Sequence, residues 1–553
     1  MKRTVNVLSK LNWGTRACAV LALCATTAIA LPAQIATLTT IHRFCSQRGC
    51  PDGAAPLAGL VQATNGALYG TTGGYVAKGY GTVFKITPDG TLTTLYSFCP
   101  QSDCTDGAYP GALVQAANGD FFGTTPSGGT NSYGTVFKIT PSGTLTTLYS
   151  FCSQTNCADG DAPQAGLLVQ AANEDLYGTT LSGGASPGPY GFGGGTVFKI
   201  TPSGTLTTLY SFCSQSGCTD GGGPEAGLVQ ATNGDLYGTT WGGGVNGQGT
   251  VFKITQGGTL TTLYSFCSQT NCADGRGPVA GLVQAANGDL YGTTGQDGAN
   301  GGGTIFKITP SGTLTTLYSF CPKSGCTDTY PSAGLVQAAN GDLYGTTLQG
   351  GARLYGGTVF KITPSGTLTP LYRFCSQTNC PDGASPVAGL VQATNGEFYG
   401  TTENGGANGG GTIFKITPSG SLTTLYSFCS QSGCTDGNYP IAGLVQDTHG
   451  DFYGTTSGGG SNNYGTVFRL SVGLGPFVKP RPPFGKVGAT VKILGTDLTG
   501  ATSVSFNGTA AVFTVVSSSE ITTTVPAGAS SGEVQVVTPS GTLSSNASFR
   551  VVP

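Results

Sequence analysis

The sequence predicts an all-β protein: an eight-bladed β-propeller of four-stranded antiparallel blades, followed by a small β-sandwich. Three observations predict it. A unit of about 54 residues recurs eight times, a period that marks propellers, solenoids or arrays. Two hairpin turns punctuate each unit. The chain also begins on the last strand of its own repeat and ends the final copy one strand short.

The marker Lys or Arg of "GTVFKI" falls at Lys85, Lys138, Lys199, Lys253, Lys307, Lys361, Lys415 and Arg469, at spacings of 53, 61 and then 54 throughout. One unit, Ala280 to Phe320, holds four strand candidates: a "AGLVQA", b "DLYGTT", c "GTIFKIT" and d "TLTTLYSF". Asn287-Gly288 between a and b suits the type I′ turn of a tight hairpin, because both residues tolerate positive φ. In "TPSGT" between c and d, proline fixes φ and glycine supplies a left-handed position. The unit therefore reads as a meander, and meanders repeated radially make a propeller. A parallel β-helix, the alternative, would use neither hairpin.

"IATLTTIHRFCSQRGC", from Ile35, has the strand d of "GTLTTLYSFCPQSDC" but no strand c before it. Strands a, b and c each occur eight times and end at "YGTVFRLSV", where no strand d follows. Pairing Thr37–Phe44 with Gly465–Leu470 would complete the eighth blade and close the ring. Closure removes unpaired edges that invite aggregation. The expected organisation is a signal peptide over 1–33, a propeller over 34–472, a Pro-rich linker over 473–485 and a sandwich over 486–553.

The first segment carries Lys2, Arg3, Lys10 and Arg16, an apolar run from Ala17 to Leu31 and an A-x-A pattern at Ala28 to Ala30. These are the parts of a secretory signal peptide; an uncleaved signal anchor is the alternative. No later stretch reaches the roughly 20 apolar residues of a membrane helix. Without the signal, 20 basic residues face 26 acidic ones, a net charge of −6, which argues against nucleic acid as a partner. Charged residues make up 9% of the chain beside 93 glycines, giving a turn-rich protein with a neutral, hydroxyl-rich surface.

Cys18 and Cys24 fall in the signal, and the other cysteines form C-x4-C pairs: Cys45 with Cys50, Cys99 with Cys104, Cys152 with Cys157, Cys213 with Cys218, Cys267 with Cys272, Cys321 with Cys326, Cys375 with Cys380 and Cys429 with Cys434. In an oxidising compartment this even pattern reads as local disulfides, each closing a loop short enough to contribute only about 2 kcal/mol. Zinc is the rival reading, but one pair supplies two of the four ligands it needs. No metal or cofactor is assigned.

Past Gly473, "ATVKILGTDL", "TSVSFNG", "AVFTVVSSSEITTTVP", "GEVQVVTPSGT" and "SFRVV" alternate as sandwich strands. The units "NGDLYGTT…GTVFKITPSGTLTTLYSF" resemble the GloVer tandem repeats of exported bacterial proteins of the choice-of-anchor type. The stretch "GATVKILGTDLTGATSVSFNG" resembles IPT/TIG domains, which implies an immunoglobulin-like fold used as a spacer or interaction module. The repeat resemblance implies a surface anchor, but "SFRVVP" carries no sorting motif, hydrophobic tail or basic cluster.

Few residues could carry catalysis. His42 lies in the orphan strand d, and His449 replaces the Asn of the last a-b turn; both read as drifted repeat positions. An Asp follows every cysteine pair, as at Asp52, Asp106, Asp274 and Asp436. One carboxylate per blade falls short of a calcium site, and an Asx turn or cap is the plainer reading. The repeated Lys of strand c, Gln of strand a (Gln230, Gln284) and Tyr of "LYGTT" (Tyr237, Tyr291) read as architecture. Glu174, Glu225, Glu397 and Glu403 are scattered rather than arranged as a glycosidase pair.

What differs between copies lies in the b-c loop and in the stretch before strand a. In a meander these connections share one face. Binding sites favour loops on a rigid scaffold, although neutral drift predicts the same variability. Trp241, Tyr80, Tyr133, Tyr190, Tyr355 and Tyr464 are the aromatic candidates for stacking against a neutral ligand. The expected function is an exported, non-catalytic binding or adhesion protein, its partner glycan, another envelope polymer or a surface protein, located outside the cell, at its surface or in the periplasm. The alternatives are a polysaccharide-acting hydrolase or lyase using the same face, and a purely structural envelope protein.

Overall fold

A computed structural model describes residues 36–552 except 75–78, 101–102, 164–167, 172, 187–192, 322–327 and 354. The predicted signal peptide lies outside the described residues. Among those described, eight blades each order their strands a-b-c-d. In the fourth blade these are Val229–Gln230, Leu236–Thr240, Thr250–Ile254 and Leu260–Ser265. Strand a is thus shorter than its sequence motif. Strand b is buried along its whole length, because its two faces pack on neighbouring blades.

The ring closes through the orphan strand. Thr37–Arg43 pairs antiparallel with Thr466–Ser471 and completes the blade formed by Phe452–Thr456 and Val445–Gln446. Its ladder slips between Thr40 and His42, as strand d slips opposite Val251 and Phe252 in the fourth blade. The first described strand therefore carries the bulge of a strand d.

The hydrophobic clusters of the propeller lie between blades. Tyr237, Val251 and Phe266 of blade 4 pack with Leu282, Leu290, Phe306 and Ile308 of blade 5. Phe44, Tyr453 and Val467 likewise pack with Leu60, Leu68, Phe84 and Ile86 across the closing seam. Phe44 meets Phe84 edge-on at 5.2 Å between centroids, and Phe266 meets Phe306 at the same distance. The glycine of "LYGTT" makes room for this core: a Cβ on Gly238 would lie 2.6 Å from the Phe252 ring.

Polar repeats hold the blades in register. The Thr240 and Thr250 hydroxyls, both buried, lie 2.8 Å apart, and the Thr250 N–H donates to Thr240 Oγ1. The repeated Gln spans seams: Gln284 Oε1 accepts from Thr232 N–H at 2.9 Å, and Gln337 Oε1 from Ala286 N–H at 2.8 Å. Lys253 and Lys307 each pair with the aspartate of their own a-b turn at 3.8 Å.

The cysteines of seven pairs form local disulfides: Cys45–Cys50, Cys99–Cys104, Cys152–Cys157, Cys213–Cys218, Cys267–Cys272, Cys375–Cys380 and Cys429–Cys434. In the Cys321 pair, Cys326 lies outside the described residues.

The C-terminal sandwich packs two four-stranded sheets and a two-stranded one around Val491, Ile493, Val504, Phe506, Ile521, Val534, Val536 and Phe549. The Pro-rich stretch expected as a connector contributes two of its strands. Lys479–Arg481 pairs with Thr490–Leu494, and Phe484–Lys486 runs parallel to Arg550–Val552.

The closing seam yields a test. Phe44 is fully buried, and truncating a buried Phe to Ala costs about 3–5 kcal/mol. Phe44→Ala should lower the urea midpoint accordingly. Deletion of residues 36–44 should cause aggregation, followed by light scattering; an unchanged midpoint together with a soluble deletion would contradict ring closure.

Candidate functional site

The b-c loops and the stretches before strand a come together on one face. Ala108 bridges Ser127, and Arg276 bridges Gln296, each pair joining the two variable segments of one blade. Every b-c loop stands on its buried threonine pair. A second set of bonds runs between blades: the residue before the proline of strand a donates its N–H to the preceding blade's b-c loop. Examples are Tyr109 to Tyr80 O at 2.7 Å, Ala162 to Tyr133 O at 3.0 Å, Ala55 to Tyr464 O at 2.8 Å and Gly277 to Gln248 O at 3.0 Å.

Of the predicted aromatics, Tyr80, Tyr133, Trp241 and Tyr355 are 36–68% exposed on this face. Tyr464 is half-buried. Tyr190, with the rest of 187–192 in the long third-blade loop, lies outside the described residues. The Trp241 backbone N–H donates to Gly223 O at 2.9 Å. Its indole lies across Gly277, where a Cβ would stand 3.2 Å from Nε1. Beside it, Arg276 pairs with Asp297 at 2.9 Å.

The sequence reading does not single out Tyr109, Tyr330 and Tyr439, which share the position before the strand-a proline. Each is left-handed, with φ of 62°, 64° and 56°, at a cost of roughly 1–2 kcal/mol per side-chain-bearing residue. Tyr109 and Tyr439 are exposed. The tripeptide Ala-Tyr-Pro or Asn-Tyr-Pro is the signal that marks two of them.

The repeated Asp forms the node of each of the seven described disulfide loops. Asp274 is fully buried and accepts from the Tyr264 hydroxyl at 2.8 Å, from Ser268 N–H at 3.0 Å and from Gln269 N–H at 3.2 Å. Burial, followed by the Asp106 carboxylate, pushes the Tyr96 hydroxyl up to about 12, keeping it a donor. His42 stands where other blades have this tyrosine, and its Nε2 lies 2.8 Å from Asp52 Oδ2. Burial alone would raise Asp52 and Asp436, but hydrogen bonds from His42 and Cys45 N–H in one case, and from Tyr426 and Ser430 in the other, hold both below the usual carboxylate value. Among the described residues, no group of three or more His, Cys, Asp or Glu is placed to hold a metal ion.

The opposite face, made of a-b and c-d turns, carries the sandwich. Ser519 Oγ donates to Thr64 O in blade 1 at 2.7 Å, and Arg550 Nη1 to Gln284 O in blade 5 at 3.2 Å. Blades 1 and 5 are opposite in an eight-membered ring, so the sandwich crosses the propeller axis. In blade 8 the turn reads Asp447-Thr448-His449-Gly450 where blade 1 has Ala63-Thr64-Asn65-Gly66. Asp447 is buried and caps the turn, accepting from His449 N–H, Asp451 N–H and His449 Nδ1 at 3.0–3.1 Å. That contact raises the His449 pKa. Thr448 O accepts from Phe477 N–H, and its hydroxyl donates to Gly495 O. Lys479, pushed down to about 7 by burial, donates to Gln446 O. His449 thus sits at a domain junction.

Four overlapping stretches, 27–219, 152–338, 191–380 and 323–510, match the Gloeobacter/Verrucomicrobia repeat. The chain belongs to this repeat family. Residues 479–551 match the IPT/TIG domain, so the sandwich that caps the Gloeobacter/Verrucomicrobia repeats has its own family. No curated protein matches the chain. Among solved structures, it is similar to a fungal alcohol oxidase of the AA5 family in complex with copper (11% identity, TM-score 0.41, 94% of this chain and 99% of that one). It is also similar to the Pseudomonas aeruginosa periplasmic gluconolactonase (17%, 0.39, 64% and 92%) and to PorZ, a surface component of the Porphyromonas gingivalis type-IX secretion system (14%, 0.40, 85% and 63%). No helix of the described residues is long and apolar enough to cross a membrane.

Two tests follow from the nodes and the junction. A carboxylate held below its unfolded pKa stabilises the fold above that pKa, and the contribution disappears as pH falls through the folded value. Asp436→Asn should therefore lower the melting temperature at pH 6, with the gap to wild type narrowing towards pH 3. A constant gap would assign the effect to packing. Arg550→Ala, which removes the blade 5 contact, should speed proteolytic cleavage near Gly473–Gly475 while leaving the propeller's melting transition in place.

Proposed function

We propose that this is an exported, non-catalytic binding or adhesion protein that presents the loop face of its propeller to glycan or another neutral envelope polymer. One observation carries the reading: the IPT/TIG domain is bonded to opposite sides of the ring on the constant face, so the open face is the one bearing the variable loops and exposed aromatics. The signal-like N-terminus and the local disulfides support export to the periplasm, the cell surface or beyond.

Chemistry supports binding over turnover. Each histidine is held in a local pair with an aspartate. Glu397 pairs with Lys415 at 3.0 Å. Glu225 and Glu403, on the loop side, belong to blades 4 and 7, whereas glycosidases hold two carboxylates roughly 5–10 Å apart. Half-exposed indole and phenol rings amid Gly, Asn, Ser and Gln offer apolar faces to sugar rings and polar neighbours to their hydroxyls.

The protein without residues 1–33 should retain ligands on a glycan array and release no reducing ends from them. Trp241→Ala should weaken retention by roughly 1–3 kcal/mol, as expected for a truncated aromatic anchor, without shifting the melting temperature. Sugar release would favour the polysaccharide-acting enzyme, and an empty array would favour the structural envelope protein.

A further inference from the structure

The sandwich turns a positively charged side towards the ring. Strands a are the innermost of each blade: a Cβ on Gly281 would lie 3.8 Å from Gly227 O of the preceding blade, and one on Gly389 would lie 3.7 Å from Gly334 O. They therefore border the central channel that a propeller encloses. The sheet that begins with Lys479–Arg481 meets the constant end of that channel, since Lys479 reaches Gln446 O in blade 8 and Ser519, next to the strand Glu520–Thr524 of the same sheet, reaches Thr64 O in blade 1. Side chains alternate along a strand. Val478 is buried in the sandwich core, so Lys479 and Arg481 share the opposite side, which faces the ring. From Arg481 the chain runs on to Phe484, which pairs with Arg550, the residue bonded to Gln284 O in blade 5. Arg481 thus lies between the blade 8 and blade 5 contacts, over the channel.

The neighbouring cations have partners. Lys492, directly across from Arg481, pairs with Glu520 at 3.1 Å, and Lys479 donates to Gln446 O. Arg481 has none: among the described residues it makes no hydrogen bond and no ion pair. Solvent reaches its side chain, yet the surrounding protein lowers its pKa by desolvation. A guanidinium that is both exposed and desolvated sits in a recess rather than on an open surface. Burial first, and then the charge of Arg481, push Lys479 down to about 7. Like charges held this close disfavour one another unless an anion joins them. Glu520, the only acid in the four strands of this sheet, is taken by Lys492, and Asp447 across the junction is taken by His449 and its own turn. We infer that this recess is an anion site, in which Arg481 holds the two-oxygen edge of a carboxylate or phosphate while Lys479 and Lys492 add positive potential. A guanidinium fork matches that edge with two parallel N–H bonds, which an ammonium does not provide. The ligand is a small oxyanion or the anionic end of a chain, because the junction of ring and sandwich leaves no place for a second folded protein. The site lies on the face opposite the variable loops and is independent of the glycan reading.

The test is calorimetric titration of the protein without residues 1–33 with inorganic phosphate and with acetate, against chloride at matched ionic strength. Wild type should bind phosphate or acetate at one site per chain, and the tighter of the two tells a phosphate ligand from a carboxylate. Arg481→Ala should weaken that binding roughly 10- to 100-fold, the weight of hydrogen bonds to a charged group. Arg481→Lys, which keeps the charge and loses the fork, should recover only part of it. Arg353→Ala, which removes a guanidinium bonded to Thr378 on the loop side, should bind as wild type. Melting curves separate binding from packing. Without the anion, Arg481→Ala should melt no lower than wild type, because it removes an unpaired, desolvated charge, and the anion should raise the melting temperature of wild type alone. If neither anion binds, if Arg481→Ala binds as wild type does, or if it melts lower by the same amount with and without the anion, the site is overturned. None of these results bears on the loop face, whose reading stands or falls on the glycan array.

Discussion

The repeated cores of this propeller do not belong to single blades. Each is shared across a seam, with Tyr, Val and Phe from one blade facing two Leu, a Phe and an Ile from the next. A blade at an open end would leave such a surface in water, and burying side chains of this size is worth about 1.5–3 kcal/mol each. The ring therefore has to close, and it closes with the strand Thr37–Arg43. Phe44 then meets Phe84 as Phe266 meets Phe306, joining the two ends through a core as well as a ladder.

This constraint explains what is legible in the sequence. Blade number, strand order and the orphan strand follow from period and hairpin chemistry, because a shared-seam core demands the same residues at every copy. The disulfides are legible from spacing, and the Asp after each pair is legible as a cap. Less legible are positions whose meaning comes from a neighbour distant in sequence. His449 looks like drift until Asp447 is seen to take over the turn cap and Thr448 to hold the sandwich. The Pro-rich run reads as a linker because prolines suggest irregular chain, yet Lys479–Arg481 is an edge strand, where proline is tolerated.

The two faces divide along the same line. On the constant face, strand-a ends recur in every blade, and the sandwich uses their carbonyls at Thr64, Gln284, Gln392 and Gln446. Carbonyls are insensitive to side-chain identity, so one small domain can dock on a repeated surface once a single turn is specialised to receive it. On the loop face, the buried threonine pair fixes the base of each loop, and residues beyond it are free to differ.

Rigidity under the variable residues bears on how such a face binds. Ordering a flexible loop on association costs roughly 0.5–1.5 kcal/mol per immobilised side chain. Here the inter-blade bonds, from Tyr109 to Tyr80 O and from Ala162 to Tyr133 O, hold the aromatic residues by their backbones before any ligand arrives, and the left-handed strain at Tyr109 and Tyr439 is borne by folding of the ring. Closure at Phe44 thus also holds the face: opening the seam between blades 8 and 1 would release the Ala55 to Tyr464 bond and leave the last b-c loop without that support.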